Sequence, residues 1–324
     1  MEASGHHTSA EVDPAVSDAV RKGLTRPQKQ LPAWLLYDAE GSRLFEEITR
    51  IPEYYPTRVE RALFLHEADA LVSQASASEP TTWVELGAGT ATKTQVLLAA
   101  AVARQPEGCL YVPVDVSPSP LQEAKERLGR ELPSVEVRPV VGDNHVAARV
   151  LGALPGRRVL LFIGSSIGNY EESEAIQLLA HMRANLAPGD ALLLSTDLTK
   201  PLDVLLPAYD DAAGVTAAFN RNVLHRLNRE LDADFRPSTF AHRARWNEAR
   251  SRIEMHLESL EAQQVRIGAL GLSVHFAKGE TLHTESSHKY DRARVQTLLE
   301  RSGFRLEDRF VDPRGWFAVN LARV

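Results

Sequence analysis

Cysteine is nearly absent from this sequence, since Cys109 is the single one among 324 residues. One thiol cannot form an intrachain disulfide or a metal site that needs several thiolates. We therefore expect no metal in the functional site and a small packing role for Cys109. A chain with so little cysteine is typical of a reducing compartment, and we expect a cytoplasmic protein.

Long apolar runs and an excess of positive charge are missing as well. No stretch approaches the roughly 20 apolar residues that cross a bilayer, and no apolar segment near the N-terminus resembles a signal peptide. Acidic residues outnumber basic ones by 43 to 37, which gives a net charge of −6. Arginine and lysine are scattered among the acids, which argues against a nucleic-acid-binding face. We expect a monomer that binds a small molecule, with no nucleic acid and no membrane as partner.

A glycine-containing turn is the most informative feature that is present. An apolar, β-branched run breaks into two glycines before a helical stretch, in Thr82-Trp83-Val84-Glu85-Leu86-Gly87-Ala88-Gly89-Thr90. Glycines at such a turn let the backbone approach a ligand closely. An ordinary strand-to-helix turn remains the alternative, because a bare G-x-G is weak evidence. Asp115, at the end of the next apolar run, is placed where an acid binds the ribose in folds of this kind. The glycine turn and Asp115 together therefore favour a nucleoside-type ligand.

Strands and helices alternate from residue 81 onwards, which predicts an α/β fold with a parallel sheet. The third, fourth and fifth strands are expected at 135–141, 158–164 and 191–196. Two closing strands, at 305–311 and 316–324, are separated by a turn and predict an antiparallel hairpin. This seven-stranded arrangement resembles the Rossmann-like sheet of S-adenosylmethionine-dependent methyltransferases, whereas dehydrogenase sheets lack the hairpin.

A long insertion interrupts this pattern after the fifth strand. It contains a half-buried strand at 252–259 and a second strand at 272–276 that can pair with it. We expect the insertion and the N-terminal helices to form a second lobe. The predicted bounds are 62–198 and 286–324 for the cofactor-binding domain, and 10–61 and 199–285 for the substrate-binding lobe.

Thr57 and Glu60 have the spacing of a capping box. In that motif each side chain accepts a hydrogen bond from the backbone N–H of the other residue. The pair therefore predicts a helix that starts near Thr57 and runs to about Ala75.

Five stretches together resemble the histidine-specific Nα-methyltransferases of ergothioneine biosynthesis (EgtD-type). The resemblance covers nearly the whole chain from about Gly23 onwards, including the insertion. The five stretches are Tyr37-Asp38 with Gly41-Ser42, Ile51-Pro52-Glu53-Tyr54-Tyr55-Pro56-Thr57-Arg58, Val84-Glu85-Leu86-Gly87, Gly164-Ser165-Ser166-Ile167-Gly168-Asn169, and Tyr209-Asp210-Asp211-Ala212-Ala213-Gly214-Val215-Thr216-Ala217-Ala218-Phe219-Asn220.

The resemblance implies S-adenosylmethionine as cofactor, bound by Gly87, Lys93, Asp115, Asp143 and Asn144. Asp115 can accept from both ribose hydroxyls and Asp143 from the adenine amino group. A lysine is unfavourable against the dipole in the first turn of a helix, so Lys93 is either a ligand of the methionyl carboxylate or a solvated side chain. Asn144 departs from the family, which commonly has an aromatic residue after this acid.

For the substrate, the resemblance implies Tyr54, Asn169, Tyr209, Glu285 and Ser287, with Tyr37, Gly164 and Met255 nearby. Glu285 and Ser287 would meet the two imidazole nitrogens of histidine, and Tyr37 would offer a proton exit at the reacting amine. Each position has a structural alternative. Met255 can be core packing, Tyr54 loop packing, Asn169 the cap of a helix near Glu172, and Glu285 with Ser287 a helix-capping region.

The expected reaction is three methyl transfers to the α-amine of L-histidine, which yields hercynine. The alternative enzyme acts on another aromatic amino acid such as tryptophan, although an indole site would favour a smaller residue than Met255 and no carboxylate such as Glu285. A nicotinamide-dependent dehydrogenase is disfavoured by the hairpin and the incomplete glycine motif. A non-catalytic protein that senses the cofactor is disfavoured by the full set of substrate-type polar residues.

Overall fold

The computed structural model describes residues 13–76, 80–105, 107–154 and 156–324, so the predicted start of the second lobe at residue 10 lies outside it. The chain divides into two compact units. We call Tyr55–Pro201 with Ser287–Val324 the sheet unit, and Met1–Tyr54 with Leu202–Ser286 the aromatic unit. The assignment of cofactor to one region and substrate to the other stays a prediction.

Helices and strands account for most of the described residues. The α-helices of this part of the chain are α1 Pro14–Leu24, α2 Ala39–Ile48, α3 Tyr55–Ser76, α4 Thr94–Arg104, α5 Pro118–Glu131, α6 Asn144–Ala153, α7 Glu172–Arg183, α8 Leu202–Leu205, α9 Val215–Leu231 and α10 Arg292–Arg301. Its strands are β1 Thr81–Leu86, β2 Cys109–Asp115, β3 Val135–Val137, β4 Val140–Val141, β5 Arg157–Phe162, β6 Ala191–Asp197, β7 Phe240–Asn247, β8 Arg252–Ser259, β9 Gln263–Ile267, β10 Leu272–Phe276, β11 Thr281–His288, β12 Arg305–Val311 and β13 Phe317–Arg323.

The sheet unit is built on one mixed sheet in the order β12-β13-β6-β5-β1-β2-β3, with β4 also paired to β2. Strands β1 to β6 pair in parallel, whereas β13 lies antiparallel between β6 and β12. The predicted fold class, a parallel core closed by an antiparallel hairpin, is confirmed. The carboxyl ends of the parallel strands share one edge, where ligands bind in sheets of this kind.

Helices cover both faces of this sheet, so its central strands are apolar throughout. Strand β6 illustrates the arrangement, because alternate side chains enter different cores. Ala191 and Leu193 pack with residues of α3 and α4, while Leu192 and Leu194 pack with residues of α6, α7 and α10. Cys109 belongs to the first of these cores, as its predicted packing role requires.

The third strand differs from the prediction, because it is broken into β3 and β4. Pro139 lies in the gap, and proline cannot donate a ladder hydrogen bond. Helix α6, which follows β4, was not predicted. Asp143 caps that helix by accepting from the backbone N–H groups of His145 and Val146.

The aromatic unit contains a three-stranded sheet, β11-β8-β7, and a separate hairpin of β9 and β10. Strand β8 has its predicted bounds, but the predicted pairing of 272–276 with it is wrong. Leu272 instead lies opposite Ile267 of β9, after a tight turn that ends at Gly271 with φ of +58°. This local hairpin needs little loop entropy, which explains why it forms in preference to the more distant pairing.

Among the described helices, none is both long and apolar enough to cross a membrane.

Candidate active site

The turn after β1 forms an open cradle in the sheet unit. Gly87 and Gly89 have positive φ angles of +62° and +51°, a region that glycine enters without strain. A Cβ atom built at either position would meet nothing within 4 Å. The turn therefore leaves room for a ligand next to its backbone.

Asp115 joins this turn to the tip of β2. Its Oδ2 accepts from the backbone N–H of Gly89 and its Oδ1 from that of Ser117, both at 2.9 Å. A carboxylate has about four acceptor sites, so the two backbone bonds fix its orientation and leave capacity for two hydroxyl groups. The two hydroxyl groups of a ribose would use this capacity.

Asp143 and Asn144 follow β4, at the same edge of the sheet. The Oδ1 atom of Asp143 is engaged in capping α6, at 3.0 and 3.1 Å from two backbone nitrogens. The amide of Asn144 donates to the hydroxyl of Tyr170 at 3.0 Å. Tyr170 also packs its ring edge against Phe162, with centroids 6.5 Å apart. An aromatic ring thus lies next to the position where the family commonly has one in the sequence.

Lys93 forms an ion pair with Glu60, a residue that was predicted to cap a helix. Its ammonium contacts the carboxylate of Glu60, and the other oxygen of Glu60 accepts from the backbone N–H of Gly164 at 2.7 Å. The predicted capping box of Thr57 and Glu60 is wrong, because α3 begins earlier, at Tyr55, and the Glu60 side chain is buried in this contact. Lys93 is not a freely solvated side chain.

Glu85 ties the first two strands to α4. Its carboxylate accepts from the hydroxyl of Thr94 at 2.7 Å and from the hydroxyl of Tyr111. Burial raises the pKa of Glu85 to about 7, against the lowering effect of these two hydrogen bonds. Glu85 therefore holds β1, β2 and α4 together next to the turn that contains Gly87 and Gly89.

The loop after β5 contains Gly164 and Asn169, both predicted substrate positions. Gly164 has φ of +77°, and a Cβ there would lie 3.3 Å from the Lys93 ammonium. Asn169 ends a 3-10 turn and is half-buried. Its structural alternative is wrong, because Glu171 caps α7 through a capping box with Glu174.

Ser287 lies close to a buried charge cluster, which we define as Asp197, Lys200, Lys289 and the hydroxyl of Tyr55. Asp197 lies 2.5 Å from the ammonium of Lys200 and 2.7 Å from that of Lys289, and it accepts from Tyr55 at 2.6 Å. Lys289 also donates to the hydroxyl oxygen of Ser287 at 2.8 Å. Burial alone would raise the pKa of Asp197, but the two ammonium groups lower it.

In the aromatic unit, five rings pack together and define the aromatic cluster. Neighbouring centroids are 5.4 to 6.4 Å apart, mostly edge to face, which is the favoured geometry for such pairs. The members are Tyr37, Phe45, Tyr54, Tyr209 and Phe219. The cluster brings three predicted functional tyrosines together.

The negative charge of Glu285 acts on the hydroxyl of Tyr37 within this unit. Burial raises the pKa of Tyr37 well above its usual value, and the negative charge of Glu285 raises it further. Tyr54 and Tyr209 add smaller effects in the same direction. The Tyr37 hydroxyl therefore stays protonated near neutral pH and can donate or relay a hydrogen bond, but it cannot act as a phenolate base.

Glu285 and Ser287 both lie on β11, two residues apart, so their side chains point to the same side of the strand. Their structural alternative as a helix-capping region is wrong, because Asp291 caps α10. Met255, on the adjacent strand β8, is buried, and its carbonyl accepts from the hydroxyl of Thr284 at 3.0 Å. Met255 thus packs beside the strand that carries Glu285.

Two of the family motifs contain an acid that accepts hydrogen bonds from the start of a helix. Asp38 caps α2 by accepting from the N–H of Gly41, and it also accepts from the amide of Asn222 at 2.7 Å. A Cβ on Gly41 would lie 1.7 Å from the carbonyl oxygen of Leu36. Asp211 similarly accepts from the N–H groups at the start of α9. These contacts hold the segments that present Tyr37 and Tyr209.

Several residues in or next to these contacts could not be predicted from the sequence. Their partners are distant in sequence, and no local pattern indicates them. The available signal for Glu60 was an acid within helix α3, and that for Lys289 was a lysine directly after strand β11. The missed residues are Glu60, Tyr170, Asp197, Lys200 and Lys289.

Comparison with known proteins identifies the family. Residues 16–324 match the model of the family described as histidine-specific methyltransferase, SAM-dependent. The chain is 45% identical over 306 residues to the histidine N-alpha-methyltransferase of Mycolicibacterium smegmatis, covering 94% of this chain and 93% of the relative. Identity to the Mycobacterium tuberculosis protein of the same name is 45% over 307 residues, with the same coverage.

A more distant relative is the ergothioneine biosynthesis protein 1 of Schizosaccharomyces pombe. It is 28% identical over 293 residues, which cover 87% of this chain and 37% of that protein. These matches confirm the predicted resemblance and the dependence on S-adenosylmethionine, and they favour histidine over the tryptophan alternative. The chain belongs to the family of histidine-specific, S-adenosylmethionine-dependent methyltransferases.

Proposed function

We propose that this enzyme transfers three methyl groups to the α-amine of L-histidine and so forms hercynine, in a step of ergothioneine biosynthesis. The observation that carries the proposal is the buried carboxylate of Glu285, whose charge acts on Tyr37 of the aromatic cluster. A carboxylate accepts hydrogen bonds at about four positions, and an imidazole N–H is a suitable donor to it. The identity to two histidine N-alpha-methyltransferases supports the same substrate.

The cofactor positions fit S-adenosylmethionine, which supplies a methyl group activated by its sulfonium. The open backbone at Gly87 gives room for its methionine part, and Asp115 accepts from both ribose hydroxyls. Asp143 and Asn144 bind the adenine. Lys93 binds the methionyl carboxylate while Glu60 holds its ammonium in place.

Different residues bind the ring and the carboxylate of the substrate, which are the groups that the reaction leaves unchanged. Glu285 and Ser287 bind the two ring nitrogens, and Met255 packs at the ring. Asn169 and Tyr209 donate to the carboxylate, while the backbone at Gly164 and the hydroxyl of Tyr54 complete the contacts. Glu285 accepts a hydrogen bond from the ring N–H of histidine, which leucine and phenylalanine cannot offer.

Each transfer forms a bond from the amine nitrogen to the methyl carbon while the carbon–sulfur bond breaks. The nitrogen must present a lone pair, so it loses one proton before each of the three transfers. The chain's task is to bind the amine neutral and aligned, away from bulk water. The Tyr37 hydroxyl passes the proton to water without ionising, in accordance with its raised pKa.

The aromatic cluster suits the product as well as the substrate. The nitrogen becomes a quaternary ammonium, which has no hydrogen to donate. Aromatic faces attract such cations through their quadrupole. Tyr37 and Phe45, whose centroids are 5.5 Å apart, are the rings that we assign to this role.

The test is the substitution Glu285→Ala, with histidine turnover and S-adenosylmethionine affinity measured on the same preparation. We expect kcat/KM for histidine to fall by roughly 10³- to 10⁴-fold, because mismatches at a polar site reach this size. Cofactor affinity should stay within about twofold. The matched control is Glu258→Ala, which removes an acid on β8 that pairs with the exposed residues Arg243 and Arg245 and should change turnover little.

A second variant separates the cofactor from the substrate. Asp115→Ala should weaken S-adenosylmethionine binding, measured by calorimetry, because both ribose contacts are lost. Near-normal histidine kinetics in Glu285→Ala would refute the substrate assignment, and faster turnover of tryptophan than of histidine by the unaltered enzyme would do the same.

The setting that we propose is a monomer in the cytoplasm. The support for this compartment is the single cysteine, which is buried and has its thiol pKa raised to about 11 by burial. Such a thiol is unreactive and needs no oxidising environment.

A further inference from the structure

The segment that presents Tyr209 is irregular, since it lies between α8 and α9, yet Tyr209 itself is buried. The N–H of Tyr209 donates to the carbonyl oxygen of Leu206 at 3.0 Å. Its carbonyl oxygen accepts from Nε2 of His242, on strand β7, at 2.7 Å. A buried backbone carbonyl needs a hydrogen-bond partner, and in an irregular segment a side chain can supply it. His242 therefore holds the Tyr209 peptide from outside its own segment.

The ring of His242 has a defined hydrogen-bonding arrangement. A carbonyl oxygen only accepts, so Nε2 of His242 must carry a hydrogen. The side chain is 2% exposed, and burial lowers the pKa of this histidine, which keeps the ring neutral near pH 7. Nδ1 is then an acceptor, and the amide of Asn220 donates to it at 2.9 Å. A flip of the ring would break both contacts.

Asn220 connects this ring to two further elements of the aromatic unit. Its amide nitrogen, on α9, also donates to the carbonyl oxygen of His256 on β8 at 3.1 Å, and the residue is fully buried. Both amide hydrogens of Asn220 are used by these two acceptors. The direction of every hydrogen bond from Asn220 through His242 to Tyr209 is thus fixed. The last residue, Tyr209, places its ring 6.4 Å from that of Tyr54 in the aromatic cluster.

We propose that His242 is a positioning residue for substrate binding, which holds the carbonyl oxygen of Tyr209 and so orients the Tyr209 side chain toward the carboxylate of histidine. The inference rests on the proposed function, in which Tyr209 donates to that carboxylate. The hydroxyl lies at the far end of the side chain, so a small rotation of the backbone is enlarged there. A displacement of about 1 Å is already costly in a binding site.

A positioning effect at Tyr209 has a specific kinetic signature. The carboxylate of histidine takes no part in methyl transfer, so its contacts are the same in the ground state and in the transition state. Loss of such a contact raises KM and leaves kcat unchanged. A general disturbance of the site would also misalign the amine and lower kcat.

The test compares two substitutions of similar volume. His242→Gln keeps an N–H that can donate to the Tyr209 carbonyl, whereas His242→Met has no donor. The dissociation constant of histidine is measured by calorimetry with S-adenosylhomocysteine present, and kcat is measured separately. We expect His242→Met to weaken histidine binding roughly five- to tenfold, the equivalent of one hydrogen bond, with kcat unchanged. His242→Gln should stay within about threefold of the unaltered enzyme.

Two comparisons show whether the effect passes through Tyr209. Histamine has the ring and amine of histidine but no carboxylate, so His242→Met should leave its affinity unchanged. Tyr209→Phe already lacks the donor, so adding His242→Met to it should weaken histidine binding by less than about twofold more. Equal losses for histidine and histamine would overturn the proposal, as would the full loss from His242→Met in the Tyr209→Phe background.

Asn220→Leu covers the case in which His242→Met fails to fold. It has a similar shape and removes the amide that fixes the His242 ring, so histidine binding should weaken about threefold while histamine binding stays the same. Unchanged histidine affinity in this variant would contradict the positioning role. Tyr209→Phe by itself tests the underlying function, because unchanged histidine affinity there would refute the carboxylate contact of Tyr209 before His242 is considered.

Discussion

Glu85 allows a quantitative test of how the cofactor cradle is supported. The substitution Glu85→Gln keeps the shape of the side chain and removes its titration. Burial raises the pKa of this carboxyl from 4.5 to about 7. A raised folded-state pKa means that the folded protein holds the proton more tightly than the unfolded chain. The stabilisation is therefore complete below about pH 4.5 and is lost as the pH rises through 7.

The size of the effect follows from the same shift. Each pKa unit corresponds to about 1.4 kcal/mol, so a shift of 2.5 units amounts to about 3 kcal/mol between the two limits. Between pH 5 and pH 8.5, about 2.5 kcal/mol of this should be observed. We expect the free energy of unfolding of the unaltered protein to fall by that amount relative to Glu85→Gln.

The assay is urea unfolding of both proteins at several pH values in this range. Taking the difference between them cancels the groups that they share, including other buried acids. Glu136→Gln, on the edge strand β3 with an exposed side chain, is the control and should show a nearly constant difference from the unaltered protein. Equal pH dependence in Glu85→Gln and the unaltered protein would refute the reasoning.

Two further predictions concern contacts around the proposed cofactor site. Lys93→Met should destabilise the fold by about 3 kcal/mol or more, because it leaves the buried Glu60 carboxylate without its cation. Glu60→Gln leaves an ammonium that water can reach, so it should cost only about 1–2 kcal/mol. Equal losses of unfolding free energy for the two variants in urea would contradict this asymmetry. Tyr170→Phe removes the hydroxyl that accepts from Asn144. It should weaken S-adenosylmethionine binding roughly five- to tenfold by calorimetry, the equivalent of one hydrogen bond, and unchanged affinity would show that this contact does not position Asn144 for the adenine.

Patterns within a single element predicted most of the sheet. Continuous apolar runs indicated strands buried on both faces, and β6 shows why, with its alternate residues packed into two different cores. Errors arose where a single residue or a local turn decided the outcome. Pro139 breaks the third strand, and the choice of partner for β10 depends on a turn at Gly271 whose advantage is entropic.

Candidate site residues were predictable where they end strands or belong to a family motif. Asp115 and Asp143 follow strands directly, and their polar character stands out against apolar runs. Glu60 could not be assigned in the same way, because its contacts are 33 and 104 residues away along the chain. Its spacing from Thr57 imitated a capping box, and only the three-dimensional contact with Lys93 resolves the two roles.

The proposed reaction places a special demand on the reacting nitrogen, and the aromatic cluster meets it. Histidine keeps the same ring and carboxylate through three transfers, whereas its amine loses hydrogens and gains permanent charge. Hydrogen bonds to the amine would be broken one by one, so they would favour the first substrate over the later ones. Neutral rings such as Tyr37 and Phe45 attract a methylated cation without needing its hydrogens. Directed bonds are therefore useful at the unchanging groups, where Glu285 and Ser287 are assigned, and would slow the reaction at the group that changes.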